Sequence, residues 1–130
     1  MFATKKLSKK YVQLIPKIRE DIKIRVKSGV NFIPCGEICT KFNIGYPGLY
    51  AVLKHMVVED TTNKEPLWSS WVATNSKTSI STTPGICGDW FFDTARRLGH
   101  KTGIKQSDFM FEQRRLCKDI LKEKDAEPFK

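Results

Sequence analysis

Residues 34–57, PCGEICTKFNIGYPGLYAVLKHMV, read as two short helices joined by a tight turn. In the first segment Ile38, Cys39 and Phe42 share one helical face, and in the second Leu49, Val52, Leu53 and Met56 do. Between them lies Asn43-Ile44-Gly45. Asparagine tolerates a left-handed backbone, so Asn43 is placed to end the first helix and turn the chain, and Ile44 to plug the crease. Pro47 suits the first turn of the second helix, where its missing N–H is not needed and its fixed φ helps to start the helix.

Position by position this pattern resembles the helix-turn-helix family: a small residue inside the first helix (Cys39), an apolar residue at its end (Phe42), the turn residue (Asn43), a buried aliphatic (Ile44), then Leu49 and Val52 on the second helix. The preceding stretch, YVQLIPKIREDIKIRVKSGVNFIP (11–34), extends the likeness. It is similar to the opening of GntR-type bacterial regulators, with a first helix ending at glycine, a short extended link with a proline, then the helix pair. One departure bears on mechanism. Such regulators place Ser, Arg and Thr at the start of the recognition helix, where this chain has Gly45, Tyr46, Pro47 and Gly48. Major-groove readout relies on forked donors and acceptors, and the second helix offers only Tyr46, Tyr50, Lys54 and His55 as polar reach. The two glycines would permit a close backbone approach, and the tyrosines could contact phosphate, stack on bases or simply pack.

Moving outward, Ser8 is a candidate cap for a first helix that is interrupted or restarted at Pro16, carries Ile18, Ile22 and Val26 on one stripe and stops at Ser28-Gly29. Lys17, Arg19, Lys23, Arg25 and Lys27 alternate around that stripe, either along a nucleic-acid backbone or as a solvated face. Val30–Ile33, closed by Pro34, suits a small strand. After Met56 and Val57-Val58 comes a polar turn, residues 59–66. Leu67–Thr74 (LWSSWVAT) and Lys77–Thr83 (KTSISTT) flank Asn75-Ser76 and suggest a β-hairpin, hence a wing, with Lys77 near its tip. On a regular strand Trp68 and Trp71 would face opposite ways, so at least one enters the core. Asp89 is a candidate cap for a helix with Phe91, Ala95 and Leu98 inward, Arg96 and Arg97 outward and Gly99 as its stop. Ser107 or Asp108 would cap a last helix with the stripe Phe109, Gln113, Leu116, Cys117, Ile120 and Leu121. Its outer face would carry Arg114, Arg115, Lys118, Lys122 and Lys124.

The expected fold is therefore mainly α with a small β-hairpin: one winged helix-turn-helix domain over residues 1–130 with two added C-terminal helices. Residues 1–7 form a flexible basic arm, 8–83 the core and 84–130 the helical extension. A chain of 130 residues can bury a real core without staples. It has no run approaching a membrane span. The lysine-bearing, acid-free residues 1–17 contain no arginine, which weakens a reading as an organellar presequence.

The net charge of +9 is uneven. Residues 1–28 carry nine Lys or Arg against Glu20 and Asp21, residues 29–65 sum to −1, and residues 66–130 to +3. Such a field attracts phosphate polyanions, although it also serves solubility. Cys35, Cys39, Cys87 and Cys117 form no disulfide framework and read as reduced cytosolic thiols. Cys35 and Cys39 lie one turn apart, but a second close pair that would make zinc persuasive is missing. Whether these four bind metal is left open. No GxxxxGK, HExxH or GxSxG occurs. Asp89 and Asp93, with His100 nearby, are a conceivable divalent-metal site for phosphodiester cleavage, though caps and surface acids explain them more simply.

The functional expectation is a noncatalytic DNA-binding protein of the cytoplasm, a small bacterial, phage or plasmid regulator without cofactor or small-molecule substrate. Tyr46, Gly48, Tyr50 and Lys54 would enter or skirt the major groove, with Lys5, Lys6, Lys9, Lys10, Lys17 and Lys77 on phosphates. The C-terminal helices are candidates for a homodimer seam. The alternatives are a protein-interaction module on the same fold and an RNA or single-strand binder.

Overall fold

The computed structural model describes residues 7–73, 85–103 and 105–126, with side chains through 123. In order these form α1 (Lys9–Lys27), β1 (Ile33–Pro34), α2 (Cys35–Phe42), α3 (Tyr46–Thr62), a 3-10 turn (Trp68–Trp71), β2 (Val72–Ala73), α4 (Asp89–Arg97) and α5 (Gln106–Ala126). The protein is mainly helical, as expected. Its described sheet has two short strands, β1 and β2, paired in parallel with Ile33 opposite Val72 and Pro34 opposite Ala73. Of the anticipated arm over residues 1–7, Leu7 is described and packs against the core; residues 1–6, the second hairpin strand with Lys77, and the chain after 126 lie outside the described residues.

Local signals fix the first half. The Ser8 side chain accepts a hydrogen bond from Tyr11 N, and Ser28 and a left-handed Gly29 close α1. The expected break at Pro16 does not occur, since α1 is continuous through it. Asn43 takes the left-handed conformation (φ 53°, ψ 53°) and ends α2, Ile44 is buried behind it, and Pro47 lies in the first turn of α3. Leu49, Val52, Leu53 and Met56 are fully buried. They meet Ile18 and Ile22 of α1 and Ile38 of α2 in one core, against which Cys39 and Phe42 are half-buried. Helix α3 runs on to Thr62, past the polar turn expected from residue 59.

The largest correction concerns residues 67–74. Trp68–Trp71 form a 3-10 turn rather than a strand, and both tryptophans are buried. Asp60 at the far end of α3 is the cause on one side, because its Oδ2 accepts the Trp68 N–H at 3.1 Å. The Ser69 hydroxyl donates to Leu53 O at 2.8 Å. Only Val72 and Ala73 then remain to pair with β1.

Helix α4 is capped by Gly88, with Asp89 its first residue rather than its cap, and α5 starts at Gln106, ahead of Ser107 and Asp108. The inward face of α5 is turned from the one expected: Met110, Arg114 and Cys117 are buried, whereas Phe109, Gln113 and Leu116 are only half-buried. A second cluster joins Val57, Leu67, Phe91, Phe92, Ala95 and Met110. The apolar faces of α4 and α5 are thus largely taken up within the chain, and Phe111 remains 50% exposed.

Candidate functional site

Helices α1 and α3 run in the same direction. Tyr11 lies over Gly48 at their starts, and Arg19 binds Glu59 at 2.9 Å and Asp60 at 2.5 Å further along. Lys9 and Lys10 consequently stand beside the first turn of α3. That turn has Gly45 as its cap, with no capping side chain and no acid. Its leading N–H groups, Lys9, Lys10 and the exposed Tyr46 and Pro47 share one end of the protein. Helix N-termini carry partial positive charge and favour anions.

Lys9, Lys10, Lys17 and Lys54 are exposed and make no ion pair among the described residues. The arginines of α1 differ. Arg19 is bound by Glu59 and Asp60, and Arg25 bridges Asp21 at 2.8 Å and Glu37 at 2.7 Å. Asp21 also holds Lys41 at 2.5 Å, which ties α1 to α2. Lys23 sits 5.1 Å over the Trp68 ring. The basic stripe of α1 is therefore divided: Lys9, Lys10 and Lys17 are exposed, whereas Arg19, Arg25 and Lys23 are held against neighbouring elements.

The expected readers on α3 are distributed unevenly. Lys54 points outward. Tyr46 is 48% exposed and its hydroxyl lies against Gly36, where a Cβ would come within 3.1 Å. Gly48 is buried, and a Cβ there would meet the Tyr11 hydroxyl at 2.6 Å. The close approach that this glycine permits is made by α1. Tyr50 is half-buried, its ring stacked on Trp90 of α4 (5.7 Å between centroids, 22° between planes). Burial, with the Cys35 thiol beside it, pushes the Tyr50 phenol up to about 12, and burial raises the Cys35 thiol to about 11. The Trp90–Tyr50 stack and the 2.8 Å contact between Thr61 Oγ1 and His100 Nε2 lay α4 along one flank of α3. Tyr46, Pro47, Lys54 and Thr62 of α3 remain exposed, and Ala51, His55 and Val58 are partly so.

Asp60 joins three elements through Arg19 and the Trp68 N–H, and burial raises its carboxyl to about 6 even so. Burial lowers His100. Asp93 is bonded to Arg96 and His100 to Thr61. Among the described residues no group of three or more His, Cys, Asp or Glu is arranged to hold a metal ion, and the four cysteines are free thiols. No helix of the described residues is long and apolar enough to cross a membrane.

The expected outer face of α5 fails at Arg114, which is buried. Its Nε donates to Ser70 O at 2.8 Å, Nη2 to Gly85 O at 2.7 Å and Nη1 to Asn31 O at 3.5 Å. Burial lowers its pKa. Nothing in the α5 sequence marks this arginine out from Arg115, which is exposed and paired with Glu112 and Asp119. No family model, curated protein or solved structure matches this chain.

Proposed function

We propose that the protein is a noncatalytic binder of duplex DNA that engages the phosphate backbone with the end formed by the starts of α1 and α3. In this reading α1, β1, α2 and α3 are the opening of a winged helix, and the cytoplasm is its place of action as a small regulator. The observation that carries it is that Lys9 and Lys10, beside the acid-free first turn of α3, are exposed and unpaired among the described residues. Each lysine that neutralises a phosphate releases counterions, so affinity falls steeply with salt. In this reading the exposed Lys17 and Lys54 add further contacts, and Tyr46 is an exposed aromatic in the first turn of α3.

A second reading, a protein-interaction module on the same fold, is favoured by one feature. Tyr50 and Gly48 are engaged by Trp90 and Tyr11, which leaves few donors on α3 for reading bases. Fluorescence anisotropy with random duplex, single-stranded DNA and RNA probes across salt separates the two. Steeply salt-dependent duplex binding supports the first, and no binding at low salt removes it.

A further inference from the structure

Beyond the C-terminal end of α1, a helix of 19 residues and so about 28 Å long, a second feature stands apart from the surface described above. An open cleft of about 400 Å³ is lined by Asn31, Trp71, Phe111, Arg114, Arg115 and Lys118. Two of its cations have no carboxylate partner among the described residues. Arg114 is only 6% exposed and is held by three backbone carbonyls, which engage three of its five N–H groups and solvate its charge without neutralising it. Buried charges are ordinarily paired, so this one marks a place where an anion is favoured. Lys118 lies 5.6 Å over the Trp71 ring with its ammonium group at the same cleft. Arg115 is already balanced by Glu112 and Asp119 and adds little.

The aromatic side of the cleft is equally specific. The Arg114 guanidinium lies over two rings, its Cζ 5.7 Å from the Trp71 centroid and 5.4 Å from that of Phe111. Trp71 is buried, but Phe111 keeps half its surface open. An exposed phenylalanine fixed against a guanidinium is a ready stacking platform, and Asn31 supplies an amide beside it. The volume falls within the range of small-ligand sites.

We infer that this cleft binds a nucleotide unit, with its unpaired base stacked on Phe111 and its phosphate at Lys118 and Arg114. The inference is independent of the duplex reading, because none of these residues belongs to the α1–α3 end. The same chemistry is offered by a free nucleotide and by an unpaired strand, and the probes distinguish them.

The test is isothermal titration of the full chain with AMP, adenosine, inorganic phosphate and a short oligo(dA). AMP is expected to bind more tightly than adenosine or phosphate. Phe111→Ala and Lys118→Ala should each weaken AMP by about tenfold, while Lys101→Ala, at an exposed lysine outside both surfaces, leaves it unchanged. Phe111→Leu, which keeps apolar bulk but no ring, should behave as Phe111→Ala and guards against a folding defect. Oligo(dA) binding more tightly than AMP, with the same dependence on Phe111 and Lys118, identifies an unpaired strand as the source. Affinity no better than that of AMP identifies the free nucleotide. Absence of binding by AMP and oligo(dA), or AMP affinity equal to that of phosphate and insensitive to Phe111, overturns the inference.

Discussion

The phenol of Tyr11 occupies the space that a side chain at Gly48 would need, with its hydroxyl 2.6 Å and its Cζ 2.8 Å from where a Cβ would lie. This contact sets the spacing of α1 and α3 and brings Lys9 and Lys10 to the start of α3. Gly48→Ala should therefore destabilise the fold by about 1–2 kcal/mol through overpacking. In a Tyr11→Ala background the same change should become neutral or stabilising by up to about 1 kcal/mol, since alanine is the better helix former. Urea denaturation of the four proteins gives the coupling directly. Additive effects would mean that Tyr11 does not hold this position.

The lysines and arginines of α1 should separate by experiment. Lys9→Ala with Lys10→Ala should reduce the magnitude of the slope of log K against log salt by about 2 for duplex DNA, with stability unchanged, because each lost phosphate contact removes roughly 0.9 from the slope. Arg19→Ala should do the reverse. It strands the buried Asp60 carboxylate and lowers stability by about 3 kcal/mol, with little change of slope in the protein that remains folded. Lys54→Glu should weaken duplex binding, and an unchanged affinity in low salt would take α3 out of the interface.

Much of the first half was legible because its determinants are local. Asn43, Ile44 and Pro47 act on their immediate neighbours, and Ser8 and Gly29 close α1 within one turn. The misread parts depend on partners distant in sequence. Trp68–Trp71 have the composition of a strand but are held as a turn by Asp60, Leu53 O and Arg114. Arg114 sits among exposed charges in α5, and its carbonyl partners at residues 31, 70 and 85 become visible only once the chain has folded. Gly48 was legible as a site of close approach, but not as one filled by Tyr11.

Asp60 predicts a specific pH dependence. Burial raises its carboxyl in the folded state to about 6, against an ordinary value of 3.8, with Arg19 and the Trp68 N–H opposing the rise and Glu65 adding to it. The folded state thus binds this proton more tightly than the unfolded chain. Its contribution to stability is complete below about pH 4 and declines as pH rises to about 6. Asp21 works in the opposite direction, because its bonds to Lys41 and Arg25 hold it below the ordinary value. The informative quantity is therefore the difference between the wild-type protein and Asp60→Asn. That difference should move against the wild type between pH 4 and 6 and level off above, in urea midpoints taken at each pH. A constant difference would show that Asp60 has an ordinary pKa.

Tyr50 separates packing from recognition. Its ring stacks on Trp90 and its hydroxyl adjoins Cys35, so Tyr50→Phe should cost about 1 kcal/mol and leave duplex affinity within about twofold. Tyr50→Ala should cost about 3 kcal/mol by opening the seam between α3 and α4. A tenfold loss of affinity in Tyr50→Phe would place the hydroxyl on the nucleic acid.

Arg114 ties α5 to the rest of the molecule through Ser70, Gly85 and Asn31, which no other single side chain brings together among the described residues. Gly85 itself has φ 91° and a Cβ there would meet Phe32 at 2.9 Å, so the carbonyl that Arg114 binds is presented by a backbone that favours glycine. Arg114→Met should leave these carbonyls without their donor and lower stability by about 3 kcal/mol or more, despite relieving a buried charge, since unsatisfied buried acceptors cost about 1–3 kcal/mol each. Arg114→Lys should recover less than half of the loss, because a single ammonium group cannot span three acceptors arranged around a planar fork. Urea midpoints with unchanged m-values would attribute the loss to the native state. If Arg114→Met proved as stable as the parent, desolvation of the guanidinium would have outweighed its hydrogen bonds, and its retention would then rest on the anion that the cleft is proposed to bind.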